Sequence, residues 1–443
     1  MSGGRLAICV IGAGPRGLSV VERICANERA ERRHNAVLVH VVDPDPPTDR
    51  SRHLLMNTVA SQVTVYTDAT SRIEGPIDPG PSLYEWAKAG DGTLAEARDL
   101  GPDDYPTRAL HGRYLRDTFR RVVRSAPAHL AFRVHGSRAV ALADIDGVTG
   151  GRQGIRLADG TRVHDLDAVV LALGNLPALP TPAEARAASL ARIHHLRYVP
   201  SANPGDVDLS AAGPGETVLL RGLGLTFFDY VRLLTTGRGG TFEGNGDDLV
   251  YRPSGKEPRL VALPHPAHLR TEPDGRHTPA SRIAELIALI HAGVVELTGP
   301  GTEARIDPGR GCFTAVSRAV PGRPVHARVL IEARPPGSDI RRTADPLLRF
   351  LLDTKQAAPC RPSTADGGAY ETGGLAVTGR PYHLVDGAGR THPRRFAFGG
   401  RPLADSVTLG DSDAIARATL RLSPLHPPRR ADHTDNGLTG MIV

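Results

Sequence analysis

Residues 6–17 of this chain read LAICVIGAGPRG. An apolar run leads directly into Gly12, Gly14 and Gly17, and a helical pattern follows. In the order strand, turn, helix, the first glycine permits a tight turn, the second lets the backbone approach a pyrophosphate, and the third lets the helix pack on the strand. The free amides at the start of the helix would then face the phosphates. This stretch therefore predicts a dinucleotide-binding β-α-β unit.

A second apolar run, at 37–42, ends in Asp43, where an acidic residue would accept hydrogen bonds from an adenosine ribose. Asp43 lies 26 residues beyond Gly17, whereas the usual spacing is about 20. We attribute the excess to a charged insert at 28–35, which we expect to be exposed. A lone glycine motif is weak evidence, but the motif with strand, helix and acid in place predicts dinucleotide binding.

The composition indicates a globular protein with ample core. The chain has 443 residues, of which 40% are hydrophobic, and this length favours two or three domains. No apolar run is long enough to span a bilayer and no signal peptide is evident, so we expect a cytoplasmic protein with no membrane partner. The cysteines Cys9, Cys25, Cys312 and Cys360 are scattered without metal-ligand spacing, so no metal is expected. Cys9 should be buried in the first strand.

The basic charge balance does not indicate a nucleic-acid partner. The net charge is +6, but the basic residues are spread along the chain rather than gathered in one stripe. We therefore expect a small-molecule substrate and no nucleic acid. No feature of the sequence indicates an oligomeric state.

Between the two nucleotide motifs, local patterns predict several elements. Residues 54–60 have no strong period and are interpreted as a loop that crosses the cofactor. Helices are predicted at 82–88 and 108–123, and short strands between 130 and 164. The apolar run 167–173 ends at Gly174. It is either a parallel strand buried on both faces, with its carboxyl end at the cofactor crevice, or simply a core strand that ends in a turn.

A second nucleotide motif begins with the apolar run 216–221. It continues through Gly222, Gly224 and Thr226 into a helical pattern, but Phe227 stands where the third glycine is expected. The helix and strand cannot pack as closely there, so this motif is degenerate.

The segment after the next predicted strand, 259–263, carries His265, His268 and Arg270. They form either an ordinary polar loop or a site at which Arg270 meets a ribose 2'-phosphate, which would favour NADPH over NADH.

The remaining patterns predict helices at 281–292 and 346–353, and short strands within 300–337 and at 374–377 and 395–398. Near the carboxyl terminus, residues 410–413 read GDSD before an apolar helical pattern at 414–420, so Asp411 is interpreted as part of a helix cap.

Four segments appear together along the chain in this order: 12–19, 54–60 (LMNTVA at 55–60), 221–229 (GLGLTFFD at 222–229) and 377–378 leading to 406–409. Together they resemble the FAD/NAD(P)-binding protein family, whose relatives include flavin-dependent, N-hydroxylating monooxygenases of the two-dinucleotide type. The resemblance implies an α/β fold with two Rossmann-like domains, in which the NAD(P)-type domain interrupts the FAD-type domain. The implied bounds are 1–210 and 341–425 for the FAD-type domain, 211–340 for the NAD(P)-type domain, and 426–443 for a flexible tail.

The resemblance also implies a set of cofactor-binding residues. FAD would be held by Gly12, Gly14, Pro15, Arg16, Gly17, Asp43, Asn57, Gly174 and Asp411. NADPH, or else NADH, would be held by Gly222, Gly224 and Thr226.

The function implied is an FAD enzyme that takes hydride from NADPH, reacts with oxygen and transfers one oxygen atom to a small amine. Two segments, 48–53 and 399–405, are shorter than in the family and would lie near the flavin. They motivate two alternatives: a non-redox cyclase, lyase or isomerase on the same scaffold, or a catalytically inactive cofactor-binding partner. No catalytic acid or base is identified; His53, His265 and His268 are candidates by location alone.

Overall fold

The computed structural model of the chain describes residues 5–44, 53–90, 94–174, 176–244, 246–264, 280–317, 324–337, 339–362, 370–398 and 405–425. Within these ranges, no helix has the length and hydropathy needed to cross a membrane. His265, His268, Arg270, the predicted tail and nearly all of the two shortened segments lie outside them.

The strands, in chain order, are β1 (Arg5–Ile11), β2 (Ala36–Val42), β3 (Leu130–His135), β4 (Ala139–Asp144), β5 (Gln153–Leu157), β6 (Arg162–Leu166), β7 (Ala168–Leu171), β8 (Arg197–Val199), β9 (Thr217–Arg221), β10 (Thr241–Glu243), β11 (Val250–Arg252), β12 (Arg259–Leu263), β13 (Val295–Leu297), β14 (Glu303–Asp307), β15 (Cys312–Val316), β16 (Val325–Ala327), β17 (Val329–Glu332), β18 (His383–Val385) and β19 (Thr391–Ala397). The helices are α1 (Pro15–Ala30), α2 (Leu83–Ala89), α3 (Ala95–Asp99), α4 (Arg108–Arg124), α5 (Pro182–Ile193), α6 (Leu225–Leu234), α7 (Ala280–His291), α8 (Pro346–Asp353) and α9 (Asp405–Leu420).

The first sheet has the strand order β18-β19-β7-β1-β2-β3 and is parallel except for its edge strand β18. Every residue of β7 is buried, as the apolar run at 167–173 predicted. Strand β7 pairs with β1 on one side and β19 on the other, so the carboxyl ends of all three meet at one edge. Parallel sheets bind ligands outside this edge. We call the space beyond it the cofactor crevice.

Helices cover one face of the first sheet, and a smaller sheet covers the other. Ile24 of α1 and Ile415 of α9 share one core with Val10 of β1. On the opposite face, the antiparallel sheet β4-β5-β6 and helix α8 contribute Leu142 and Leu351 to a second core. The hairpin between β5 and β6 turns at Gly160, where φ is +89°.

The second sheet is parallel throughout, with the strand order β13-β12-β9-β17-β8. Helices α6 and α7 pack on one face. The antiparallel sheet β14-β15-β16 and helix α5 pack on the other. Two parallel sheets with helical layers confirm the predicted α/β class. The predicted boundary at 210 falls between β8 and β9, which lie in this same sheet.

The prediction of an exposed insert at 28–35 is only partly correct. Helix α1 extends to Ala30, and Glu28 is 1% exposed rather than solvated. The Glu28 carboxylate contacts Nε2 of His129 at 2.8 Å. This long-range partner lets a charged residue be buried, and local sequence patterns do not reveal it.

The elements predicted near the carboxyl terminus need two corrections. Helix α9 begins at Asp405, so residues 410–413 lie inside it instead of capping a helix at 414. Residues 374–377 do not form a strand. They make isolated bridges, Leu375 with Pro359 and Val377 with Leu384.

Candidate functional site

The first glycine turn has a geometry that only glycine can adopt at two positions. Gly12 has φ of +105°, and its amide donates to the carbonyl of Val42 at 2.8 Å. A Cβ on Gly12 would collide with the carbonyl of Ala172, and one on Gly17 would collide with the carbonyl of Gly12. The turn therefore draws β1, β2, β7 and α1 together, in the way that the sequence predicted.

Gly14, by contrast, faces open space. It is the N-cap of α1 and no side chain caps the helix there, while a Cβ on Gly14 would meet no described residue within 4 Å. Pro15 occupies the first turn, where its missing amide costs nothing. An uncapped helix start with room in front of it fits a pyrophosphate, because amides and helix dipole both favour an anion.

Asp43 stabilises this turn through a hydrogen bond. It follows the end of β2, and its Oδ2 accepts a hydrogen bond from the amide of Ala13 at 2.6 Å. The carboxylate thus lies at the same sheet edge as the turn. Its contact with a ribose stays a prediction.

Arg16 extends from the glycine turn across the cofactor crevice. Its Nη1 donates to the carbonyl of Leu173 at 3.2 Å, and its guanidinium lies 5.6 Å from the centre of the Phe398 ring. Nε is buried and has no hydrogen-bond partner among the described residues. Burial lowers the pKa of Arg16, and the negative charge of Asp411 opposes this shift. Gly174 is exposed beside this path, and a Cβ there would meet none of the described residues within 4 Å.

Asp411 has a different setting from the one predicted. It lies inside α9, away from the helix start at Asp405. Its Oδ1 accepts hydrogen bonds from Nε of Arg380 at 3.0 Å and from the hydroxyl of Tyr382 at 2.8 Å. The helix-cap interpretation is wrong, because the helix continues through the GDSD sequence.

The second glycine turn repeats the first. Gly222 has φ of +125°, and its amide donates to the carbonyl of Leu263, the last residue of the adjacent strand, at 3.0 Å. Gly224 caps α6 in the same extended conformation as Gly14, again without a side-chain cap. Thr226 follows in the first turn and is half-buried. The degenerate position, Phe227, is buried in the core, so the substitution leaves the uncapped helix start in place.

Three arginines hold the loop 53–57, which contains the start of the LMNTVA segment. Arg232 Nε donates to the carbonyl of His53 at 3.3 Å, and Arg108 Nε donates to that of Leu55 at 3.4 Å. Nη2 of Arg282 donates to the carbonyl of Met56 at 3.0 Å and to Oδ1 of Asn57 at 3.1 Å. Two of these arginines come from helices α6 and α7 of the second sheet. The loop is therefore a point of contact between the two halves of the molecule.

Sequence reasoning missed the charged residues of this cluster. Arg282 is 1% exposed, and its Nε and Nη1 are buried without a partner among the described residues. Asp229 is 4% exposed; Oδ2 accepts from Nη2 of Arg108 at 2.7 Å, while Oδ1 is buried without such a partner. Burial lowers the pKa of Arg282 and raises that of Asp229. The available signal was charge at core positions: Asp229 stands between Phe228 and Tyr230 in an apolar helix.

Comparison with known proteins agrees with this geometry. Residues 9–176 match the model of a family described as FAD-NAD(P)-binding. The chain is 39% identical to an L-aspartate N-monooxygenase (nitrosuccinate-forming) of Streptomyces cremeus, over 99% of this chain and 98% of the relative. It is 34% identical to nitrosuccinic acid synthase npaA of Aspergillus oryzae, over 93% and 92% of the two chains.

Solved structures support the fold. Ornithine hydroxylase (PvdA) from Pseudomonas aeruginosa, in its reduced form, superposes with a TM-score of 0.56 at 14% identity, over 94% of this chain and 99% of that chain. This similarity shows a shared two-dinucleotide architecture only.

Similarity over nearly the full length of curated relatives decides between the three functions that the sequence left open. The redox function is confirmed, with FAD and NAD(P)H as its cofactors. The chain belongs to the FAD/NAD(P)-binding family that contains these N-monooxygenases, and it is an FAD-dependent monooxygenase that acts on an amine.

Proposed function

We propose that the amine is L-aspartate and that the enzyme oxidises its amino nitrogen. Two relatives that match over most of their length carry the name L-aspartate N-monooxygenase (nitrosuccinate-forming). The structural observation that carries the proposal is Arg282, a buried guanidinium beside Asn57 with two nitrogens that have no hydrogen-bond partner among the described residues.

An unpartnered buried cation is costly, because it loses its hydration without replacement. A carboxylate that accepts from Nη1 would restore a charge-assisted hydrogen bond to this buried guanidinium. The cluster contains three arginines and, among the described residues, two carboxylates that pair with or face them. The arginines are Arg108, Arg232 and Arg282, and the carboxylates are Asp229 and Glu285. The cluster therefore favours a substrate with an anionic side chain over one with a cationic side chain.

We also propose how the cofactors bind. The first turn, formed by Gly12, Gly14, Pro15, Arg16 and Gly17, would hold the FAD pyrophosphate, with Pro15 shaping the helix start without donating an amide. Asp43 would contact the ribose, and Asn57, Gly174 and Asp411 would line the crevice. Gly222, Gly224 and Thr226 would hold the NADPH phosphates. Bound flavin supplies the transfer of hydride and of oxygen. The protein would hold and orient both dinucleotides.

The strand pairing supports domain bounds that differ slightly from the sequence-based ones. Because β8 lies in the second sheet, we propose that the NAD(P)-type domain begins before Arg197 and ends after β17. We propose the cytoplasm as the site of action, since the reaction consumes NADPH.

The substrate proposal is tested with purified, FAD-loaded protein, NADPH and oxygen. L-Aspartate should accelerate NADPH oxidation and yield a nitrogen-oxidised product by mass spectrometry. Succinate, which lacks the amine, should yield none, and L-ornithine should be a poor substrate. Turnover of L-ornithine but not of L-aspartate would overturn the proposal.

Arg282→Lys tests the proposed carboxylate contact. Lysine keeps the charge but loses the rigid guanidinium that places Nη1, so we expect KM for L-aspartate to rise about 10-fold to 100-fold, the equivalent of about one charge-assisted hydrogen bond. FAD content is measured for each variant, so that a loss of cofactor is separated from a loss of the carboxylate contact. Arg305→Lys is the matched control, because Arg305 is exposed in β14. An unaltered KM in Arg282→Lys would place the carboxylate elsewhere.

A further inference from the structure

Helix α6 connects the second glycine turn to the loop 53–57. The helix starts after Gly224 and carries both Asp229 and Arg232. Arg232 contacts the loop directly through the carbonyl of His53. Because α6 is a continuous helix of ten residues, a displacement of its first turn moves both side chains with it.

Asp229 contacts the loop through Arg108, at the start of α4. The Asp229 carboxylate binds Nη2 of Arg108 at 2.7 Å. Arg108 in turn donates its amide to the carbonyl of Leu54 at 2.7 Å and its Nε to that of Leu55 at 3.4 Å. A single ion pair thus joins the nucleotide helix of one sheet to the loop that lies against the other sheet's crevice.

The charge of Asp229 also acts on the other side of the loop. Arg282 and Arg232 lie close enough to favour the ionised carboxylate, and Arg282 holds Met56 and Asn57. The Asp229 side chain is only 6% exposed, so solvent screens these interactions weakly. Neutralising it would loosen both arginines without removing any part of the loop itself.

We infer that Asp229 is a positioning residue that couples occupancy of the second glycine turn to the order of the loop 53–57. NADPH bound at Gly222 and Gly224 would fix α6, and Asp229 with Arg108 would then hold Asn57 and Arg282 in place for the amine substrate. The substrate part of this inference rests on the proposed function; the coupling of nucleotide to loop does not.

Hydrogen-deuterium exchange of the FAD-loaded protein tests the coupling without substrate. The peptide covering the loop contains the amide of Met56, which donates to the carbonyl of Pro106 at 2.8 Å. In the wild-type protein, saturating NADP+ should slow exchange of this peptide at least about fivefold, the lower end of typical coupling between sites. In Asp229→Asn, NADP+ should still bind but change the exchange less than about twofold.

Matched variants separate coupling from general stability. Arg108→Gln should lose the same protection, and Asp229→Asn with Arg108→Gln should lose no more than either alone, because both remove one interaction. Arg108→Gln also serves if Asp229→Asn does not fold. Glu257→Gln is the control: Glu257 is a buried carboxylate of the second half that contacts Tyr251 and Ser254 instead of the loop. It should keep full protection.

Calorimetry of L-aspartate binding with and without NADP+ provides the second readout. NADP+ should tighten L-aspartate binding at least about fivefold in the wild-type protein and less than about twofold in Asp229→Asn. Protection of the loop by NADP+ that persists in both single variants would overturn the inference. A wild-type protein that shows loop protection but does not bind L-aspartate would refute the substrate proposal and support the coupling.

Discussion

At the scale of single residues, His392 shows how the fold sets a protonation state. Its Nδ1 accepts a hydrogen bond from the amide of Arg394 at 3.2 Å, so the ring proton sits on Nε2 and is donated to Asp144 at 3.2 Å. Burial, together with the charge of Arg395, lowers the pKa of His392 to about 4, although Asp144 opposes both effects. The neutral ring is therefore the form that joins β19 to the small sheet β4-β5-β6.

The lowered pKa of His392 predicts a loss of stability in acid. Its ordinary value is 6.5, so the unfolded chain takes up a proton first, and the stability contribution is present above that pH and lost as the pH falls toward 4. The loss should reach about 2 kcal/mol between pH 7 and pH 5. His392→Asn should reduce the pH dependence of the unfolding midpoint by a comparable amount. His164→Asn, at an exposed position, should not. A pH profile unchanged by His392→Asn would contradict the assignment.

At the scale of elements, local pattern predicted those helices whose signals are local. Helix α8 has its predicted bounds, since Pro346 begins it and the side chain of Asp345 accepts from the amide of Leu348. The start of helix α9 was missed, because the sequence GDSD at 410–413 was interpreted as a helix cap. A close tertiary contact explains why a glycine stands inside this helix: a Cβ on Gly410 would lie 2.8 Å from the carbonyl oxygen of Arg72.

Contacts between residues far apart in the chain also explain which residues of the candidate site the sequence did not predict. Both glycine turns and Asp43 could be predicted, because a phosphate site leaves its mark within one strand-turn-helix unit. The cluster around Asn57 could not, since its partner Arg282 lies 225 residues away in the chain. Periodicity reports which face of a helix is buried, and it does not report which buried charge meets which loop.

Gly410→Ala is the corresponding prediction for α9. In an isolated helix, alanine would be favoured over glycine by about 1 kcal/mol. Here the added methyl group would press on the backbone at Arg72, so we expect a net destabilisation of about 1 kcal/mol or more. Chemical denaturation of the FAD-free protein measures the sign directly. A stabilised variant would show that the helix and the loop at 72 can move apart.

At the scale of the whole molecule, two parallel sheets present the same construction. Each has a glycine with positive φ that donates to the last residue of the neighbouring strand, and each has a second, extended glycine that caps a helix without side-chain help. In the family this repetition corresponds to two dinucleotides. The loop 53–57 and its arginines lie where the two halves meet. Binding at one turn can therefore affect the conformation at the other.

The duplicated turns predict that each dinucleotide stabilises the protein through its own turn. Ligand at about 100 times its Kd stabilises the folded state by about 2.7 kcal/mol, which a thermal unfolding scan detects. Gly14→Ala should fold normally, because a methyl group there meets open space, but should lose most of the stabilisation by FAD. Gly224→Ala should lose the stabilisation by NADP+ and keep that by FAD. If both variants lost both responses equally, the two turns would serve a single site, and the division of the chain into an FAD half and an NADPH half would be wrong.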